Sequence, residues 1–153
     1  MAASSFGGDV RNDVLVPLLT SLDLSAPTTI SVLEHTRLLV TMNKDRYQWP
    51  HALLQEHQLA KLQEQPDASR VLREAAHAIA MYHPAAGTRR VVRHRVTNLI
   101  RAKEERQAVR CMLEFVGRSW ERARDVSAII KDLHIIDGLP TGTAAAMHCR
   151  WLA

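Results

Sequence analysis

The chain has 153 residues, 46% of them apolar and 5% aromatic, with six Gly, six Pro and two Cys. That length supports one domain with a real core, and the apolar fraction excludes a disordered chain. Net charge is +4, from 20 basic and 16 acidic residues, and Cys111 and Cys149 are too few for a disulfide framework.

The first residues are small and polar, so 1–12 is expected to be a flexible N-terminus and 13–153 a single helical domain. Asp13 to Leu24 reads as a helix with Pro17 near its start, ended by Ser25-Ala26-Pro27. Thr28 or Thr29 caps a second helix to about Asn43; Ser31 and Glu34 have capping-box spacing and offer a competing start. Asn43 to Arg46 is a polar turn. Trp49-Pro50 opens a third helix, Pro50 to Glu64, and Asp67 caps a fourth that carries Val71, Leu72, Ala75, Ala76, Ile79 and Tyr82 at helical spacing. His83 to Thr88 is the clearest internal boundary.

Beyond it, Val92, Val96, Leu99 and Ile100 share one stripe, and Val109, Met112, Leu113, Val116 and Trp120 share another. At roughly 100° per residue the two stripes fall about 120° apart on one continuous helix. Two helices joined near Lys103 to Gln107 are the simpler reading. Asp125 caps a helix from Val126 to Ile136 with Ile129, Ile130, Leu133 and Ile136 inward, and Thr143 caps a short last one, Ala144 to Leu152. The expected fold is all-α, a compact bundle or short two-layer stack of seven to eight helices without a convincing strand. The segment around His134-Ile135-Ile136 is the one that could also be extended.

Positive charge is concentrated between Thr88 and Arg124, where ten Arg and one Lys face four Glu, net +7, leaving −3 for the rest of the chain. Arg89, Arg90, Arg93 and Arg95 have no acid nearby in sequence before Glu104. Such density destabilises a helix unless a partner offsets it. With Arg101, Lys103, Arg106 and Arg110 these residues are the candidate binding face, and its ligand would be an anion: an acidic protein or peptide, or RNA or DNA through its phosphates. The aromatic residues that would stack on single strands, Tyr47, Trp49 and Tyr82, lie outside the basic run.

Two segments resemble the N-terminal helical domain of transcription elongation factor TFIIS, the LW domain shared with elongin A and a Mediator subunit. Thr29-Ile30-Ser31-Val32-Leu33-Glu34-His35-Thr36-Arg37-Leu38 is similar to its T-hydrophobic-x-x-L-x-x-T-[GR]-[IL] segment. Val96-Thr97-Asn98-Leu99-Ile100-Arg101 is similar to V-N-x-L-R-K, and Ala108 to Trp120 to A-x-x-L-V-x-x-W. Met42-Asn43-Lys44 follows where the family has Val-Asn and a basic residue; the family has these pieces contiguous, whereas here residues 45–95 separate them, and Leu38-Leu39-Val40 replaces the family's Ile-Gly-Lys. The resemblance implies a helical bundle that binds short disordered peptides with an apolar anchor flanked by acids, in transcription assemblies.

Catalytic and metal-binding patterns are missing from the sequence. The eight His fall at spacings that scatter them over helix faces, His148-Cys149 has no second pair, and no nucleophile motif is present. Gly138 to Thr143 lacks the lysine and spacing of a phosphate loop. No cofactor and no metal are therefore expected. No secretory leader or bilayer-spanning apolar run is legible, so neither secretion nor membrane association is expected. The expectation is a non-catalytic, intracellular interaction module, nuclear or cytoplasmic with the organelle matrix left open, or a subunit of a larger assembly, that uses its basic face on an acidic partner. A nucleic-acid-binding helical protein is the alternative.

Overall fold

The computed structural model describes residues 9–120, 126–136 and 139. Among them are seven helices and a small antiparallel sheet: β1 (Asp9–Arg11), α1 (Asn12–Ser21), α2 (Ala26–His35), β2 (Val40–Asn43), β3 (Arg46–Gln48), α3 (Ala52–Gln63), α4 (Ala68–Tyr82), α5 (Arg89–Arg101), α6 (Glu105–Trp120) and α7 (Val126–Leu133). The expected caps at Asp125 and Thr143, and the helix from Ala144, lie outside the described residues.

The all-α expectation holds for most of the chain and is corrected at its N-terminal third. Strand order is β1-β3-β2. β2 and β3 form a hairpin around the Lys44-Asp45 turn, and β1 pairs Val10 with Tyr47. Residues 9–12 are therefore structured, with Val10 fully buried, because a strand inserted beside β3 buries its one inward side chain. The turn also anchors α1: the Asn12 amide donates to Asp45 O at 2.9 Å.

The second helix stops at His35 rather than near Asn43 because of its end. Arg37 adopts the left-handed conformation, φ 55°. The Leu38 amide then bonds back to Leu33 O and the Arg37 amide to Glu34 O, both at 2.9 Å. That is the paired hydrogen-bond closure of a Schellman motif, with Leu33 and Leu38 as its apolar contact. The same closure ends α1 at Asp23 (φ 59°) and α5 at Lys103 (φ 63°). None of the three positions is glycine, so sequence inspection for helix-ending glycines passes over all of them.

α4 holds the fold together. Its Ala75, Ala78 and Ile79 pack with α1, β1, Tyr47 and Trp49 in one core. Ala76 packs with α5, α6 and α7 in a second. Val71 and Leu72 meet Leu59, Leu62 and Ala102 in a third. The small side chains let neighbouring helices approach closely on several sides at once. The loop 83–88 joins α4 to α5, and α5 then lies between α4 and α6. The basic segment divides into two helices, as the phase argument expects; the break is Ala102-Lys103-Glu104, at the N-terminal edge of the expected Lys103 to Gln107 join, and Glu105 to Gln107 already belong to α6.

Candidate basic interface

At about 100° per residue, the arginines of α5 leave the helix in three directions. Arg89 and Arg93 are one turn apart and share one of them. Both donate through Nε to Asp132 of α7, Arg89 at 2.9 Å, and Asp132 is fully buried. The sequence reading of these two residues as an unneutralised face is corrected: their acid is remote in sequence but adjacent in space. Ile129, Leu133 and Ile136, three residues before, one after and four after Asp132, are buried in the second core. Asp132 thus lies on the apolar stripe of its own helix, and a charge at such a position is the sequence signal that could have found it.

Arg90 and Arg101 share the second direction and are exposed. Arg101 carries enough neighbouring protein to push its guanidinium pKa down by desolvation, though arginine remains charged. Lys103 and Arg106 follow on the turn and on α6, also exposed. Among the described residues Arg90, Arg95, Arg101, Lys103 and Arg106 have no acidic partner. Arg110 pairs with Glu114 one turn on, at 2.9 Å, on the exposed side of α6, a contact worth a few tenths of a kcal/mol.

Arg95 takes the third direction. It lines an open cavity of about 320 Å³ between α4, α5 and α6, together with Arg73, Glu74, Ala76, His77, Leu99 and Gln107. Its Nε is buried and meets no hydrogen-bond acceptor among the described residues. Glu104 buttresses the rim, accepting from Arg73 at 3.1 Å and from Gln107 at 3.2 Å. Its own amide closes the end of α5 on Leu99 O. The sequence reading missed Arg73, Glu74 and His77, because α4 brings them to α5 from outside the basic run, and Gln107, because an uncharged residue within the run carries no such signal.

Cys111, on the buried side of α6, has its thiol pushed up from the ordinary value by burial, with Glu114 adding to the rise and Arg95 and Arg118 opposing it. It stays protonated at neutral pH and is a poor nucleophile. His51 and His83 are local backbone caps: each Nδ1 accepts an amide, from Leu53 at 3.3 Å and from Ala85 at 3.1 Å. Among the described residues no three His, Cys, Asp or Glu side chains are grouped to hold a metal. No single helix among them is long and apolar enough to cross a membrane. Comparison of the chain with protein-family models, with curated proteins and with solved structures finds no match.

Proposed function

We propose that this chain is a non-catalytic binding module that takes an acidic protein or peptide segment on the basic surface built by α5, the Lys103 turn and the start of α6. The observation that carries this reading is the set of cations without an acidic partner among the described residues: Arg90, Arg95, Arg101, Lys103 and Arg106. Like charges held this close raise the energy of the folded chain, and an anionic ligand relieves it. Asp132 supplies an example within the molecule: α5 receives the acid of an amphipathic helix between two guanidiniums, each donating one Nε–H to a different carboxylate oxygen, a charge-assisted pairing. The LW-domain resemblance implies the same ligand class, and with it a role in transcription assemblies.

The test is fluorescence anisotropy of the full chain with a labelled acidic 12-residue peptide of alternating Glu and Leu, a single-stranded RNA and a duplex DNA, across a salt series. The expected result is peptide binding that R101E/K103E/R106E abolishes. Absence of peptide binding at low salt, with RNA or DNA bound in a steeply salt-dependent way, overturns the reading in favour of nucleic acid.

A further inference from the structure

The cavity beside Arg95 is distinct from the exposed rim and has a different charge pattern. Two guanidiniums from neighbouring helices, Arg73 and Arg95, line it together with the Gln107 amide and the apolar Leu99 and Ala76. Arg73 already has Glu104 as its partner. Arg95 forms no ion pair among the described residues, although its Nε is withdrawn from water. A guanidinium that is partly desolvated and unpaired is destabilising, and a carboxylate brought to it pairs the charge and offsets part of that cost. Its charge acts inward as well, favouring the thiolate form of nearby Cys111 against burial.

We infer that this cavity receives a single carboxylate side chain, a Glu or Asp of the bound peptide, on the Arg95 guanidinium, with the apolar stem of that residue against Leu99 and Ala76. The inference rests on the reading of the basic surface as a peptide site and names the residue type that anchors there. Glu74 lies in the same cavity and makes the site of mixed sign. A run of phosphates would bring further negative charge against Glu74, whereas one carboxylate leaves Glu74 to accept a backbone N–H of the same peptide. The cavity is therefore selective for an acidic peptide over a nucleic-acid backbone. Its volume of about 320 Å³ lies at the small end of ligand pockets, sufficient for one side chain. The Asp132 clamp is the same chemistry on another side of α5.

The experiment follows the Arg95 Nε–H resonance by NMR in the full chain while N-acetyl-glutamate methylamide, or its glutamine counterpart, is added. In parallel, binding of the acidic 12-residue peptide is measured to wild type, R95Q, R95K and R101E/K103E/R106E, with thermal melts to confirm folding. The expected outcome is a shift of the Arg95 resonance with the glutamate compound alone. R95Q weakens peptide binding about tenfold, which corresponds to about 1.4 kcal/mol. R95K, which keeps the charge and loses the fork, restores part of it. In the rim triple variant the glutamate compound still shifts Arg95. If the peptide binds and the rim variant abolishes it, while Arg95 does not shift and R95Q binds as wild type, the cavity inference is wrong and the surface reading stands. If the peptide binds no variant and not the wild type, the surface reading fails, and the cavity inference falls with it.

Discussion

The Arg89–Asp132–Arg93 clamp is asymmetric, and the asymmetry predicts which side of it is costly to remove. Asp132 is 0% exposed, while the side chains of Arg89 and Arg93 remain 40% and 37% exposed. Changing both arginines to Gln leaves a carboxylate buried without a cation, a situation that costs about 3–5 kcal/mol. Changing Asp132 to Asn removes the charge from the buried side, keeps one oxygen as an acceptor, and leaves guanidiniums that can turn toward water. That loss is about 1–2 kcal/mol. Asp132→Leu, which places an apolar side chain on an apolar stripe, is expected to cost no more than Asp132→Asn. Urea unfolding followed by circular dichroism measures all three, with the slope of the transition checking that the unfolded state is unchanged. The stability difference between wild type and the double arginine variant should change little with added salt, because the carboxylate is shielded from counterions. The reasoning is refuted if Asp132→Asn costs as much as Arg89→Gln/Arg93→Gln, or if both stay below about 0.5 kcal/mol, the scatter of ordinary surface changes.

The helix ends give an independent check. Lys103 and Arg37 sit at positive φ, where an L side chain costs about 1 kcal/mol that glycine does not. Lys103→Gly and Arg37→Gly should each raise stability by about 0.5–1 kcal/mol in the same urea assay, and a loss would mean that those side chains make stabilising contacts. Cys111, read in a Cys149→Ser background, should react with a thiol reagent at higher pH than an ordinary thiol does. Its pKa is raised by burial, and the reactive thiolate forms only as pH rises through it. Arg95→Gln removes a charge that favours the thiolate and should move the reaction to still higher pH; a shift to lower pH would contradict the placement of Arg95. Trp49 is buried in the first core, and its indole Nε1 has no acceptor among the described residues. Trp49→Phe removes that unsatisfied donor along with some apolar contact and should stay within about 1 kcal/mol of wild type, whereas Trp49→Ala should cost about 3–5 kcal/mol.

Helices α4, α5 and α6 are legible in the sequence because their cores are periodic. The stripe Val71, Leu72, Ala75, Ala76, Ile79 and the stripes on either side of Lys103 have the helical period, and a buried face imposes that period on any helix. The hairpin is less legible. Val40-Thr41-Met42 and Tyr47-Gln48-Trp49 around a polar turn carry the β-branched and aromatic signal of two strands. That signal is short and adjoins a stronger helical one, so the helix reading extends over it. What decides the matter is the Arg37 helix end and the arrival of Val10 beside Tyr47, neither of which is a local property of Val40 to Asn43.

For the candidate site, the sequence by itself determined the chemistry: an excess of arginine on α5 and α6, which no tertiary arrangement can remove. Only the tertiary structure decided how that charge is used. Asp132 comes from a helix remote in sequence and neutralises Arg89 and Arg93. α4 supplies Arg73, Glu74 and His77 to the cavity beside Arg95. Arg101, Lys103 and Arg106 are left on the exposed turn. The physical reason is that Coulomb and hydrogen-bond energies depend on distance in space and on local burial, whereas sequence separation reports neither once the chain has folded back on itself.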